Sequence, residues 1–320
     1  MKNASLLYLC CIFVLITFPI SLVYLNYDKS EDSQNDSFNI KVFDNNNMSV
    51  TEMPFEEYVW RVAAVEMPVS FHDDAIMAQM VAARTYAIRK IIAKSHGNDA
   101  DVCTDYNHCT AFLTQGDEKH RFGNKQKYYC DQLRNLALRT KDQILTYEGK
   151  PILAVFHATS SGITEKSSDV WKTQLPYLIN VDSSADIYVK GFNSTNFFTE
   201  DELKKALNIS SEPIFSIISH TSAGSVKRIK VNNQEYTGEE IRKILKLKSS
   251  NFSIKKDGAT YIFNVKGYGH GVGLSQTGAN EYANKGLNYK EILMKYYPGT
   301  VIEKLNDLDL DLNTTKKSQK

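Results

Sequence analysis

The stretch PFEEYVWRVAAVEMP, residues 54–68, places good helix formers between two prolines. Proline is favoured in the first turn of a helix and cannot continue one further along, so the two prolines bracket a helix. The segment that follows, DDAIMAQMVAARTYAIRKIIAKSHG (residues 73–97), has apolar residues or alanine on every face. This pattern predicts a second helix, capped by Ser70 and ended by Gly97, that is buried among close neighbours.

Glu66 is the first candidate for chemistry. On a helix that begins at Phe55, it continues an apolar row along one face. We therefore expect its carboxyl to be partly desolvated, which raises its pKa and suits the group to act as a general acid. The alternative is a glutamate at the helix end that pairs with a base such as Arg61 or Arg84, and the periodicity does not separate the two.

The rest of the chain predicts an α+β fold. Residues 143–162, QILTYEGKPILAVFHATSSG, indicate two strands joined by a tight turn. Residues 212–265 indicate short strands around a helix that Thr237 caps, and we interpret them as a smaller α+β lobe inserted into the first. Asn288 begins a last helix, NYKEILMKYY.

The N-terminus predicts a membrane anchor. Residues 6–25, LLYLCCIFVLITFPISLVYL, carry no charge and are long enough to cross a ~30 Å hydrocarbon core as a helix. The alternative, a cleaved signal peptide, would need a shorter apolar region and a small-residue cleavage site. Lys2 before the span favours a cytoplasmic N-terminus with the catalytic domain outside. The predicted parts are the cytoplasmic N-terminus and transmembrane anchor (1–27), a polar linker (28–40), the catalytic domain (41–305) and a flexible tail (306–320).

The overall charge argues against a nucleic-acid partner. The formal net charge is +1, from 38 basic and 37 acidic residues. A nucleic-acid-binding domain normally carries a clear basic excess, because phosphate contacts supply most of the affinity. The near-neutral balance therefore offers no broad field that would attract nucleic acid or another polyanion.

A cysteine–histidine cluster lies in DVCTDYNHCT, residues 101–110. Cys103, His108 and Cys109 are suitable zinc ligands, and either His96 or water would have to complete the coordination. The alternative is a Cys103–Cys109 disulfide in a small extracytoplasmic loop, with Cys130 free. The spacing leaves both interpretations open.

The stretch GYGHGVGLSQTG, residues 267–278, holds five of the 16 glycines. It lacks the Lys-Ser/Thr of a phosphate-binding loop and the dinucleotide-binding spacing, so phosphate binding is not expected. If the stretch is extended, glycines alternate with side chains and one face is bare backbone that a flat ligand can approach. The alternative is a tight turn that lets a helix pack on a strand.

Six blocks in this order carry a family resemblance: EEYVWRVAAVEMP, MVAARTYAIRK, DVCTDYNHCTAF, ILTYEGKPILAVFHATSSGITE, VWKTQLPYL and GYGHGVGLSQTGANEYANKG. From about residue 50 to 303 the chain resembles the stage II sporulation protein D family (SpoIID/LytB), in its clostridial form. The resemblance implies a membrane-anchored lytic transglycosylase that cuts peptidoglycan between N-acetylmuramic acid and N-acetylglucosamine during forespore engulfment. The product would be a 1,6-anhydro sugar.

The resemblance also implies roles for single residues. Glu66 matches the catalytic glutamate, and Arg84 matches a cleft residue that holds the glycan or biases Glu66. We expect further substrate contacts from Tyr86, Ser160, Ser161, His270, Ser275 and Gln276.

The resemblance favours a metal over the disulfide. Clostridial members hold zinc on a cysteine and a histidine five residues apart, which matches Cys103 and His108, with Cys109 as a third ligand. The zinc would be structural or lie near the active site, where it would order the loop beside the cleft. The implied partners are peptidoglycan strands, preferably without stem peptides, the sporulation amidase SpoIIP and the membrane protein SpoIIM.

Two other functions compete with glycan cleavage. A branch of the same family consists of amidase enhancers, which modulate another enzyme without cutting glycan themselves. A zinc amidase, with Cys103 and His108 holding the metal, is the other, but the sequence lacks an HExxH pattern and a clear ligand triad.

Overall fold

The computed structural model describes residues 38–308 except 98, 106, 107 and 172. The predicted membrane anchor, most of the predicted linker and most of the predicted tail lie outside these residues. Within the described part, no helix is both long enough and apolar enough to cross a membrane. The α+β class is confirmed, because helices and short antiparallel and parallel sheets alternate along the chain.

The bracketed helix is confirmed as α1 (Phe55–Glu66), which ends two residues before Pro68. The second helix, α2 (Asp73–Ile92), is buried along most of its length, as the pattern predicts. Its predicted ends are wrong. His72 and not Ser70 caps the start, accepting a hydrogen bond from Asp74 N at 3.2 Å.

The early end of α2 has a local cause. Lys94 adopts a left-handed φ of 46°. Its N–H donates to Ile91 O, and Ser95 N–H donates to Lys90 O, so the last turn closes on itself before Gly97 is reached.

Further helices surround this pair. Helix α1 packs against α2 and against α4 (Gln126–Arg139), which follows the short α3 (Glu118–Phe122). Helices α8 (Gln276–Asn284) and α9 (Tyr289–Tyr296) also pack on α2. The Asn288 cap of α9 is confirmed, and its side chain accepts from Lys290 N and Glu291 N.

Short sheets frame the helices. Strands β1 (Asn39–Asp44) and β2 (Ser49–Pro54) are antiparallel, and β3 (Val102–Cys103) adds in parallel to β1. The predicted pair in residues 143–162 forms β4 (Gln143–Tyr147) and β5 (Lys150–Pro151) around a two-residue turn, with β14 (Val301–Lys304) on the other side of β4. The second strand does not continue through residues 152–155. It gives way to β6 (Phe156–His157), which pairs in parallel with β13 (Leu274–Ser275).

A second apolar core forms between residues 203 and 265. Its sheets are β10 (Gln234–Thr237), β9 (Val226–Val231) and β8 (Phe215–His220), and β11 (Phe252–Asp257), β12 (Thr260–Lys266) and β7 (Asn193–Thr199). Helices α6 (Glu200–Leu207) and α7 (Gly238–Ile244) pack on them, and Thr237 caps α7 as predicted. Strand β7 pairs with β12 along its whole length, although it precedes the predicted start of this lobe at residue 212. We call residues 193–266 the small lobe.

The glycine stretch is not extended, so that expectation is wrong. Gly267, Gly269, Gly271 and Gly273 all have positive φ, between 74° and 111°, a region that residues with a Cβ rarely adopt. A Cβ on Gly273 would lie 2.1 Å from Val155 O, and one on Gly269 would lie 2.8 Å from His157 Cβ. The bare backbone therefore packs closely against the segment around residues 155–165 of the same chain.

Candidate functional site

A cleft of about 860 Å³ brings together residues from distant parts of the chain. One part of its lining comes from α1, α2 and the loop before α3, and another from β6, the glycine stretch and the small lobe. The lining residues that bear on chemistry are Glu66, Tyr86, Lys90, His108, Cys109, His157, Trp171, Arg242, Tyr268, His270 and Gln276.

Glu66 is the last residue of α1, and its half-buried carboxyl faces this cleft. Ala111 N–H donates to Oε1 at 3.2 Å, and Gln276 Nε2 donates to Oε2 at 3.2 Å. Burial raises the pKa of Glu66 above its ordinary value of 4.5, against the opposing effect of these two donors. The carboxyl is therefore biased toward the protonated form that a general acid needs, while both donors are placed to stabilise the carboxylate.

Gln276 is buried at the first turn of α8, where Ser275 caps the helix. Its Nε2 also lies 3.4 Å from Gln79 Oε1 on α2. The amide is therefore held from two sides with its donor aimed at Glu66. It hydrogen-bonds to the acid itself, which makes it a positioning residue, and it also lines the cleft, where the predicted substrate contact stays a prediction.

The cysteine–histidine cluster borders the same cleft. His108 Nδ1 lies 3.5 Å from Cys103 Sγ and 3.4 Å from Cys109 Sγ. His96 completes the group, since one ligand atom from each of the four residues lies within 4.8 Å of the others. Both thiols are free, so the alternative disulfide is absent from the described cluster.

This donor set fits a metal ion. Two sulfur and two nitrogen ligands at such spacing are the usual coordination sphere of structural zinc. Burial, followed by the nearby Lys90 and His96, lowers the pKa of His108, which favours the neutral imidazole that binds metals. The loop that carries His108 and Cys109 continues directly to Ala111, the residue that donates to Glu66.

Arg84 does not lie in the cleft, which corrects the prediction of a glycan contact. Its side chain is fully buried, with Nε and Nη2 donating to the Glu56 carboxylate at 3.0 and 2.6 Å. Its Nη1 donates to Gln143 O. The guanidinium thus joins α1, α2 and β4 inside the core, and its charge is matched by Glu56.

Ser160 and Ser275 are also core residues, contrary to prediction. Ser160 Oγ donates to Asp186 Oδ2 at 2.7 Å, and Ser160 N–H donates to both Asp186 and Ser275 Oγ. Both serines are fully buried and neither lines the cleft. Ser161 is half-buried and is likewise not among the lining residues.

Tyr86 and His270, for which substrate contacts are predicted, both line the cleft. Burial raises the pKa of Tyr86 to about 12, so its hydroxyl remains a neutral donor. His270 Nδ1 accepts from Val272 N–H at 3.1 Å, and burial together with His157 and Arg242 lowers its pKa to about 3. Its imidazole is therefore neutral and fixed in orientation.

Several cleft residues were missed by sequence reasoning. Lys90, Trp171, Arg242 and Tyr268 come from four separate segments, and no spacing rule connects them. Of these four residues, Trp171 carried the clearest signal in the sequence, because it stands in VWKTQLPYL, one of the blocks that carry the family resemblance. In the structure it follows a short helix, α5 (Ser167–Val170).

The chain is similar to proteins of known families. The family model described as stage II sporulation protein matches residues 44–147. Stage II sporulation protein D of Bacillus amyloliquefaciens is 34% identical over 268 residues, 82% of this chain and 78% of that protein. The protein of the same name from Bacillus subtilis (strain 168) is 33% identical over the same shares. An amidase enhancer of Bacillus subtilis (strain 168) is 28% identical over 297 residues, 74% of this chain and 39% of that protein.

Proposed function

The chain belongs to the stage II sporulation protein D family, whose members act in sporulation, and we propose from this that it is a lytic transglycosylase of peptidoglycan. The proposed reaction breaks the bond between N-acetylmuramic acid and N-acetylglucosamine during forespore engulfment. The observation that carries the proposal is the half-buried Glu66 carboxyl in the cleft, with a raised pKa and one N–H donor on each oxygen.

The first step uses Glu66 as an acid. Its carboxyl proton moves to the glycosidic oxygen as the bond from that oxygen to C1 of the muramyl sugar breaks. The resulting carboxylate keeps hydrogen bonds from Ala111 N–H and Gln276 Nε2, which limits the cost of charging a group in a partly desolvated position.

The second step returns the proton. The carboxylate of Glu66 accepts the hydrogen of the C6 hydroxyl of the same muramyl sugar while O6 bonds to C1. This closes the 1,6-anhydro ring, regenerates the acid and consumes no water. One carboxyl serves both steps, so no second carboxylate at glycosidase spacing is required.

We also propose that His96, Cys103, His108 and Cys109 hold a zinc ion. The ion would supply a rigid cross-link for the loop that carries Cys109 and Ala111. With that loop fixed, Ala111 N–H would keep its place on Glu66 Oε1. Within the described residues, the side chains of Glu66 and Gln276 hydrogen-bond to Ala111, to each other and to Gln79, and to none of these four residues.

The location and partners are proposals on the same premise. The uncharged residues 6–25 would anchor the chain with its N-terminus in the cytoplasm and the catalytic domain between the engulfing membranes. The substrate would be glycan strands, preferably without stem peptides, and SpoIIP and SpoIIM would be the protein partners.

A second candidate function comes from the amidase enhancer relative. On this view the cleft binds wall material and the chain stimulates an amidase without cutting glycan itself. The partly desolvated Glu66 carboxyl in the cleft, held by two donors and with a raised pKa, favours the enzyme, because perturbed carboxyl pKa values are typical of catalytic sites.

One experiment separates these functions. The full chain is incubated with peptidoglycan stripped of stem peptides, and the products are analysed by mass spectrometry. Fragments ending in 1,6-anhydro-N-acetylmuramic acid that disappear with Glu66→Gln support the transglycosylase. Reducing-end sugars would indicate a hydrolase. In a parallel incubation with intact peptidoglycan, released stem peptides would indicate an amidase. No product from either substrate would favour the enhancer.

A further inference from the structure

Two large aromatic side chains are exposed in the cleft and take no part in the proposed proton transfer. The Trp171 side chain is 39% exposed and that of Tyr268 is 52% exposed. Aromatic side chains of this size normally gain free energy by burial, so two of them open to one cleft indicate a surface that a ligand covers.

Trp171 is held in place by its surroundings. Its N–H donates to Ser167 O at 2.8 Å, which ends the short helix α5, and its ring centroid lies 5.1 Å from that of His270. The His270 ring in turn lies 5.6 Å from the His157 ring, beneath the cleft surface. Both imidazoles have lowered pKa values, about 3 and about 4, so this row of rings stays uncharged.

Tyr268 is fixed by its backbone. Its N–H donates to Thr159 O, and its carbonyl accepts from Thr159 N–H, which pins the first turn of the glycine stretch. Its side chain projects into the cleft and has Lys248 Nζ at 5.8 Å from the ring centroid. The backbone is rigid, and the ring remains open to a ligand.

Arg242 adds directional donors from the small lobe. Within the described residues, both hydrogen bonds of its side chain run from Nη1 to the Glu239 carboxylate, at 2.9 and 3.1 Å. Nε and Nη2 therefore remain available in the cleft. Its charge lies close enough to His157 and His270 to contribute to the lowering of both pKa values, which places it beside the row of rings.

Aromatic faces with polar donors beside them suit one class of ligand. A pyranose ring has an apolar C–H face that stacks on an aromatic ring and an equatorial rim of oxygens that needs hydrogen-bond donors. A purely apolar ligand would leave the free N–H groups of Arg242 unpaired, and a flexible acidic peptide would make no use of two aromatic faces.

We propose that Trp171, Tyr268 and Arg242 form a sugar-binding subsite that holds one pyranose ring of the glycan by stacking and by hydrogen bonds to its oxygens. The identity of the ligand as a glycan rests on the proposed function, but binding at this subsite does not require Glu66 chemistry. Arg242 belongs to the small lobe, whereas Trp171 and Tyr268 lie outside it, so the subsite uses both parts of the cleft lining. By holding one sugar ring, it sets which glycosidic bond of the glycan strand lies at Glu66.

Binding is tested separately from catalysis. The full chain carrying Glu66→Gln, which cannot protonate the glycosidic oxygen, is titrated calorimetrically with the tetrasaccharide of β-1,4-linked N-acetylglucosamine. Trp171→Ala in this background is expected to weaken binding about tenfold, the cost of losing one aromatic contact. Trp171→Phe keeps a ring and is expected to lose no more than about threefold.

The control variant is Tyr188→Ala, because Tyr188 is 82% exposed and does not line the cleft. It should bind like the parent. A Trp171→Ala protein that binds as tightly as the parent, or a Tyr188→Ala protein that loses as much, would overturn the subsite. Tyr268→Ala provides an independent variant if Trp171→Ala does not fold, since the removed ring is half-exposed and the backbone bonds remain.

Intrinsic fluorescence gives a second measurement. The chain has two tryptophans, and Trp60 is 1% exposed, so an aqueous quencher such as acrylamide reaches chiefly Trp171. The tetrasaccharide should protect this emission from quenching, and Trp171→Phe should abolish the effect. If the tetrasaccharide binds but the Glu66-containing chain releases no anhydro-sugar product from stripped peptidoglycan, the transglycosylase is refuted and the subsite is kept. If peptidoglycan is cleaved with a KM that Trp171→Ala does not change, the subsite is refuted and the transglycosylase is kept.

Discussion

Gln276 Nε2 lies 3.2 Å from Glu66 Oε2, although 210 residues separate the two in the chain. The contact joins the end of α1 to the start of α8, and Gln79 on α2 supports it from behind. The Glu66 carboxyl is thus desolvated by the fold and hydrogen-bonded by two segments that the fold brings to it. The pKa of Glu66 therefore depends on how the end of α1 packs against the start of α8, and the first three predictions test this dependence.

Glu66→Gln should reduce glycan cleavage by about 10²–10⁴-fold, the usual contribution of a general acid. Glutamine keeps the shape of the side chain but has no proton to donate to the leaving oxygen. The measurement is the rate of anhydro-sugar formation. Glu52→Gln, a change at an exposed glutamate on β2, is the matched control and should leave the rate unchanged. Equal loss in both variants would contradict a specific role for Glu66.

The same substitution should change stability in a pH-dependent manner. Because the folded-state pKa of Glu66 is raised above 4.5, the folded protein binds this proton more tightly than the unfolded chain. The free energy of unfolding of the native chain should therefore fall, relative to that of Glu66→Gln, as the pH rises above 4.5 and until it passes the folded pKa. Urea unfolding of both proteins across this range checks the sign, and a difference that does not vary with pH would refute the raised pKa.

Gln276→Leu should shift the pH profile of kcat. The Gln276 hydrogen bond lowers the pKa of Glu66, so its loss raises that pKa further. Since the first step requires the protonated carboxyl, the decline of kcat on the alkaline side should move to higher pH. KM should change less than kcat if Gln276 acts on the acid alone. A changed KM with an unshifted profile would instead indicate the direct glycan contact that the sequence predicted.

Arg84→Met should destabilise the fold and leave the chemistry of the folded fraction intact. The change leaves the Glu56 carboxylate buried without its partner, at a cost of about 3–5 kcal/mol. Thermal unfolding should show the loss, and the double variant Arg84→Met with Glu56→Gln should recover part of it. Normal stability with lost activity would place Arg84 at the substrate after all.

Cys103→Ser should lower zinc content, stability and activity together. The substitution removes one of four grouped donor atoms, and the loop it would release leads to Ala111 and so to Glu66. Metal analysis by mass spectrometry and thermal unfolding are the measurements. Cys130→Ser is the control, because that buried thiol lies outside the cluster. A Cys103→Ser protein with one zinc per chain would refute the ligand assignment.

Short-range features were predictable from the sequence because the interactions that form them are local. The prolines at the ends of α1 and the caps of α7 and α9 act within one helical turn, and the structure has them where the pattern predicts. The grouping of Cys103, His108 and Cys109 follows from a separation of six residues or fewer. His96 joins them through the fold of the loop between α2 and β3.

Side-chain direction was not predictable in the same way. Arg84 and Tyr86 stand two residues apart on α2, yet one lies in the core and the other in the cleft. In the sequence, Ser160 and Ser275 resemble loop residues near a site. In the structure, both belong to the buried hydrogen-bond network around Asp186. A polar residue in such a block can take either role, and the choice depends on which partner the rest of the chain supplies.

The sequence by itself determined that a helix lies between Pro54 and Pro68, that two cysteines and a histidine are grouped after α2, and that the chain has an α+β architecture. Only the tertiary structure decided what surrounds Glu66, because desolvation and the Ala111 and Gln276 donors come from segments 45 and 210 residues away. The pKa of a carboxyl depends on the groups within a few ångströms, and long-range packing selects those groups.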